Sequence, residues 1–161
     1  MKGVAGLACA LWACGAGSLG SGEPRAGVLA APEVATPDGV VREFQRLANA
    51  HRRSIGCGPL AWDALAGGVA QAHAEDMVRR DYFSHRNPEG QGPFDRLRAA
   101  GVTYTAAAEN LAFGYPTAAG VLRGWLESPG HRRNLENCRY TTHGVGFAKG
   151  KWVEVFITTR R

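Results

Sequence analysis

Apolar residues recur at helical spacing through the body of the chain and switch to strict alternation near its C-terminus. Val40, Val41, Phe44, Leu47 and Ala48 share one helix face, with Arg42, Glu43 and Arg46 on the opposite one. Thr36-Pro37-Asp38 opens this helix, which should run to about Arg53, because Gly56 and then Cys57-Gly58-Pro59 force a turn. Asp63 is placed to cap a second helix, whose Leu65, Ala66, Val69, Ala70, His73 and Met77 form its buried face. His73 therefore falls on the apolar side, where a hydrogen-bonded core histidine is expected. The Glu75 and Arg79 spacing predicts an exposed i,i+4 ion pair.

Asp81 to Gly92 reads as a loop, anchored by Tyr82-Phe83 and turned at Asn87-Pro88-Glu89-Gly90. A short helix follows from Pro93 through Phe94 and Leu97 and closes at Gly101; residues 102–114 read as an extended segment. Thr117 caps the next helix, whose Leu122, Trp125 and Leu126 mark a buried stripe. Ser128-Pro129 then offers a cap oxygen and a first-turn proline, so another helix should start at once. His131 lands in its first turn, where the positive helix end disfavours imidazolium and leaves the ring free to accept a proton or bind a metal.

Past this point the period changes. Gly144 to Phe147 and Trp152 to Ile157 flank Lys149-Gly150, a hairpin signal. Trp152, Glu154 and Phe156 occupy one face of the second strand; Val153, Val155 and Ile157 occupy the other. Both faces are mostly apolar, so helices should cover the strand on both sides. Helices followed by a small antiparallel sheet predict an α+β sandwich.

The segment ahead of this body changes the picture of where the protein works. Met1-Lys2 followed by the apolar run Gly3 to Ala13 is too short to span a membrane and fits a signal-peptide core. Leu11-Trp12-Ala13-Cys14 resembles a bacterial lipobox, which would make Cys14 the lipidated residue, and Gly15 to Gly22 reads as a flexible tether. Ordinary signal-peptidase cleavage near Ala16 is the alternative. Either route predicts export, with a leader over residues 1–13, a linker over 14–36 and one domain over 37–161. The expected location is the cell envelope, through a lipid anchor, or the extracellular space. Membrane contact is expected only through that anchor.

Export gives the four cysteines their meaning. Cys9 and Cys14 fall ahead of the domain, and Cys57 and Cys138 remain to pair in an oxidising compartment. Neither sits in a CxxC or CxxH arrangement that would suggest zinc. The net charge of +5 comes mostly from arginine, since only Lys2, Lys149 and Lys151 are lysines. Arg52-Arg53, Arg79-Arg80 and Arg132-Arg133 are scattered pairs, read as solvated surface, and no aromatic-basic signature marks a specific nucleic-acid partner.

Five segments, each weak alone, occur in an order that resembles one family. They are Leu60-Ala-Trp-Asp63, Tyr82-Phe-Ser-His85, Ala108-Glu-Asn-Leu111, Trp125 to Asn134 and Gly144-Val-Gly-Phe147. The resemblance is to the CAP superfamily of cysteine-rich secretory proteins, antigen 5 and pathogenesis-related proteins, whose core is the SCP domain. It spans roughly residues 38–157 and is strongest toward the bacterial branch, where Ser-Pro-Gly-His-Arg is typical. It implies an α+β fold, a three-layer α-β-α sandwich around a small central antiparallel sheet. It also implies a cleft lined by two histidines and two acids, at which some members bind a divalent metal. Matched motif by motif, the cleft residues are His85, Glu109 and His131, with Glu127, near Trp125, as the second acid.

Neutral imidazoles and carboxylates suit zinc, and His85 and His131 with Glu109 and Glu127 form such a set. The same four residues are the catalytic candidates for general acid–base work. A purely structural use has Glu109 accepting main-chain hydrogen bonds from the Ser128–His131 turn, and His85 bonded to a neighbouring loop. Ser84 and Ser128 lack a Gly-x-Ser-x-Gly elbow, and no His-Glu-x-x-His motif occurs. His51 and His143 fall outside the motifs and receive no role. The sequence therefore points first to a module that binds an envelope or extracellular ligand, then to a metal-dependent hydrolase of peptides or cell-wall polymers, and third to lipid or sterol binding.

Overall fold

The computed structural model describes residues 37–159. The expected leader, the lipidation site Cys14 and the linker over 14–36 lie outside the described residues. The element order is α1 (Pro37–Ser54), β1 (Ala61–Trp62), α2 (Ala64–Arg79), α3 (Pro93–Ala99), β2 (Ala106–Phe113), α4 (Ala118–Glu127), α5 (Pro129–Leu135), β3 (Thr142–Ala148) and β4 (Lys151–Thr158). The strands form one sheet in the order β1-β3-β4-β2. The β3–β4 and β4–β2 pairs are antiparallel, while the two-residue β1 lies parallel to β3, so the sheet is mixed where a purely antiparallel one was expected.

Alternation along β4 divides the interior into two cores. Trp152 and Phe156 meet Val40, Phe44 and Ala48 of α1 with Val121, Leu122 and Trp125 of α4. Val153, Val155 and Ile157 meet Ala66, Val69, Ala70 and Met77 of α2 with Leu97 of α3. Each large apolar side chain buried this way contributes roughly 1.5–3 kcal/mol. The three-layer sandwich follows: α1, α4 and α5 on one side of the sheet, α2 and α3 on the other. Gly144 and Gly146 let α2 lie directly on β3, since a Cβ at either position would collide with the α2 main chain at Ala66–Gly67 and Ala70–Gln71.

Helix starts follow the sequence with one exception. Asp63 Oδ1 accepts from Ala66 N at 2.8 Å, and Thr117 Oγ1 accepts from Gly120 N at 3.1 Å. Ser128 occupies the cap position of α5, yet its hydroxyl makes no capping bond. Pro129 already presets the backbone and removes one of the donors a cap would satisfy, so the hydroxyl is dispensable there. The predicted Glu75–Arg79 pair does not form either. Arg79 pairs with Asp76 one turn back, and Glu75 accepts from Gln71, whose amide also bridges to the main chain of Phe147.

The arginine-rich surface needs the largest correction. Arg52 is fully buried. Its guanidinium donates to the carbonyls of Gly58, Leu135, Asn137 and Tyr140 at 2.8–3.1 Å. Burial holds its pKa below the usual arginine value, and the nearby Glu154 charge offsets part of that. The same loops carry Cys57 and Cys138, joined as a disulfide across a sequence separation of 81 residues with Cα atoms 5.0 Å apart. Closing a loop of that size is worth about 4–5 kcal/mol in the chain-entropy model.

Candidate functional site

β2 is one edge of the sheet, and the site is built around it. Side chains alternate across the strand, so Glu109 faces the α2–α3 layer while its neighbour Asn110 faces α5. Asn110 Nδ2 donates to the His131 carbonyl at 3.1 Å, and Asn110 Oδ1 accepts from Asn134 Nδ2 at 2.8 Å. Asn110 thus makes the grip on the α5 turn that a structural use of Glu109 would have supplied. Just beyond, the Trp125 indole donates to the Leu111 carbonyl at 3.0 Å. The indole packs edge-on against Phe44 with ring centroids 5.3 Å apart, so α4, α5 and β2 are locked together.

Glu109 has no exposed side-chain surface and both of its oxygens are engaged. Oε1 lies 2.7 Å from His85 Nδ1, and Oε2 accepts from Arg96 Nη2 at 2.7 Å. A carboxylate only accepts, so the proton between the pair sits on Nδ1, and whenever the ring is neutral its Nε2 is bare. The His85 side chain is 53% exposed, which leaves Nε2 open to solvent or ligand.

The loop carrying His85 is fastened at three nearby carbonyls by basic side chains from three elements. Lys151 of β4 donates to Tyr82 O at 2.8 Å and to Met77 O at 2.6 Å. His73 Nε2 of α2 bonds Ser84 O at 2.9 Å. Arg96 Nη1 of α3 donates to His85 O at 2.9 Å. His73 is the hydrogen-bonded core histidine its apolar face predicted. Its pKa is held below the ordinary histidine value, chiefly by burial and then by the Arg96 charge, so it remains a neutral donor at Nε2.

His131 lines a crevice of about 330 Å³ with Phe83, Leu111, Phe113, Tyr115 and Trp125. Its pKa is also lowered, first by burial and then by electrostatic coupling to His85, which places the two imidazoles within electrostatic reach. Burial therefore does what the helix end was expected to do. The His131 ring makes no hydrogen bond with the described residues and lies 6.4 Å from the Trp125 ring. Phe83 and Phe113, about half exposed and 6.1 Å apart, stand at the crevice mouth. Three roomier depressions, beside Tyr104, beside Cys138 and beside Phe147, are lined by no histidine, and only the last by a carboxylate, that of Glu75.

The structure thus brings His85, Glu109 and His131 to one edge of the sheet but does not add Glu127. That residue is exposed at the end of α4, its side chain makes no bond with the described residues and it does not line the crevice. Among the described residues no three His, Cys, Asp or Glu side chains are grouped closely enough to hold a metal ion. The expected four-residue metal set therefore does not fit as a set, because one acid is committed to His85 and Arg96 and the other stands apart. Two imidazoles remain suitable donors. Arg96, Asn110, His73 and Lys151 went unrecognised as site residues; Asn110, inside the Ala108 to Leu111 motif, and His73, on the apolar face of α2, carried a sequence signal.

Comparison with known proteins agrees with this architecture. The model of the CAP family, described as the cysteine-rich secretory protein family, matches residues 45–158. Bacillus subtilis YkwD is 37% identical over 118 residues, covering 72% of this chain and 46% of that protein. B. subtilis YlbC, named as a membrane protein, is 38% identical over 116 residues, covering 72% of this chain and 34% of its own length. The chain spans less than half the length of these curated relatives. A solved extracellular protein containing an SCP domain, from Bacillus anthracis str. Ames, superposes with a TM-score of 0.71 at 35% identity, covering 76% of this chain and 44% of that one. An outer surface protein of Borrelia burgdorferi reaches the same TM-score at 19% identity over 78% of this chain and 96% of its own, a likeness of fold alone.

Proposed function

Because the chain belongs to the CAP family of cysteine-rich secretory proteins, we propose that it acts as an exported module that binds a ligand or partner at the cell envelope or in the extracellular space. One observation carries this reading: Glu109 holds the His85 ring with Nε2 bare and solvent-open, beside a crevice lined by a second, neutral histidine. Sites with a few fixed polar groups on an apolar wall suit recognition. A divalent metal, zinc first, would be held by His85 and His131 and would supply a Lewis-acidic position for a ligand. Glu109 then acts behind the ligand, fixing the ring, as acids behind metal-bound histidines commonly do.

Zinc titration by calorimetry, on wild type and on a His85→Ala/His131→Ala variant, tests the metal. Heat with the wild type alone is expected; no heat above buffer with the wild type removes the metal from the proposal. The His85–Glu109 pair also favours a second reading, a hydrolase in which an acid-oriented imidazole serves as base. Turnover of a peptide library and of cell-wall glycans by the same two proteins tests it, and equal turnover would exclude catalysis by these residues. Attachment through Cys14 belongs to the same proposal. Metabolic lipid labelling should be lost in a Cys14→Ser variant, and unchanged labelling would exclude that anchor.

A further inference from the structure

We infer that Arg96 is the positioning residue of this site, fixing through one guanidinium both the carboxylate that orients His85 and the main chain that carries it. The inference rests on the reading of His85 as the working imidazole. In the same layer Arg79, itself exposed, pairs with Asp76 one turn back, and Arg80 and Arg98 pair with the exposed acids Glu89 and Asp95. Arg96 turns inward instead, with only 12% of its side chain exposed. Nη2 reaches Glu109 Oε2 at 2.7 Å, while Nη1 reaches the carbonyls of His85 at 2.9 Å and Gln91 at 3.1 Å. Its buried Nε has no partner among the described residues, so the two outer nitrogens set the orientation of the whole group.

The placement is built into the start of α3. Pro93 fixes the first helical residue, and Asp95 Oδ2 accepts from Gly92 N at 2.9 Å. Arg96 then follows one position later, pointing across the loop toward β2. Lys151 and His73 hold Tyr82 and Ser84 by their carbonyls, but neither bonds Glu109. Arg96 alone among the three ties the loop to the site carboxylate. A planar fork can make both contacts at once; a lysine ammonium, a single point donor group, cannot hold the same two-ended geometry. Without the fork, Glu109 Oε2 loses its partner and the His85 main chain loses its tie, so nothing keeps Oε1 in line with Nδ1.

The readout is the tautomer of the His85 ring, followed by nitrogen-15 NMR on the metal-free chain at mildly alkaline pH. Wild type should show His85 protonated on Nδ1. In Arg96→Gln the Nε2-protonated form should become the major one, and in Arg96→Lys the two forms should mix. His143, bonded through Nδ1 to Glu154, should keep its tautomer throughout and reports that the fold is intact. A wild-type His85 tautomer in folded Arg96→Gln overturns the inference. Should that variant fail to fold, Arg96→Lys decides, and a His85 signal identical to wild type there overturns it as well. The measurement uses no metal or ligand, so a silent zinc titration would remove the metal proposal while leaving this one standing.

Discussion

Of the three histidine–glutamate pairs among the described residues, His51 joins Glu136 through Nε2, and the other two share nearly the same geometry in opposite surroundings. His85 and Glu109 approach to 2.7 Å, and His143 and Glu154 to 2.8 Å, each through Nδ1. What differs is the fate of the atoms left over. At the site, the second glutamate oxygen is bonded to Arg96 and the second imidazole nitrogen is open to solvent. In the core, both side chains are fully buried, and His143 Nε2 and Glu154 Oε2 have no partner among the described residues. Burial pushes the Glu154 pKa up, while His143 and the Arg52 charge pull it down. One pair is arranged to meet something from outside. The other is a sealed polar contact that costs stability unless both members are present.

The largest expected effect breaks the core pair. His143→Ala leaves Glu154 buried without its partner and should cost about 3–5 kcal/mol in urea unfolding. Replacing both together, His143→Phe with Glu154→Leu, should come within about 1 kcal/mol of wild type or exceed it. A single variant as stable as wild type would erase the distinction between the pairs. Next, His85→Ala should change stability by no more than about 1 kcal/mol, because Glu109 keeps Arg96 and the lost ring is half exposed. The same substitution should abolish the zinc heat, a loss that the core double variant should not share.

The smallest expected effect concerns His73, a buried histidine whose firm bond is to a carbonyl, not an acid. Its folded pKa lies below the ordinary histidine value of 6.5, so its contribution to stability is present above about that pH and is lost as pH falls through the folded value. Glu154 runs the other way. With its folded pKa raised, its contribution is present below its unfolded value and is lost as pH rises through the folded one. Comparing wild type with His73→Gln by urea unfolding separates the two, since Glu154 is common to both chains. The stability difference should shift against wild type, by about 1 kcal/mol or less, between about pH 7 and pH 5. A difference that does not change with pH would show that His73 is not kept neutral by its surroundings.

Features set by local chemistry are legible in the chain itself. Asp63 and Thr117 cap helices, Lys149-Gly150 turns the hairpin, and Trp152 to Ile157 alternates between two cores, because each depends on neighbours a few residues away. The order of motifs singled out His85, Glu109 and His131, which the fold brings to one sheet edge, and the disulfide followed from two cysteines in a body read as exported. What could not be read is where basic side chains go. Arg52, Arg96 and Lys151 look like solvated cations in sequence, yet each is committed to carbonyls belonging to segments far away or to a loop without a repeating pattern. Glu154 reads as a stray polar residue on an apolar strand, and only the register of β3 against β4 puts His143 beside it. Glu127 failed for a related reason. Proximity to Trp125 in sequence says nothing about which side of the α4 end a residue occupies.

Arg52 has one more consequence, for the order of events during folding. Its guanidinium binds Gly58 on one cysteine-bearing loop, and Leu135, Asn137 and Tyr140 on the other, with bonds that do not involve sulfur. The arginine is therefore expected to bring the two thiols side by side without an oxidant, and the reduced protein should fold with the same tertiary signature and a lower melting temperature. Arg52 serves as the jig, and the disulfide as the rivet.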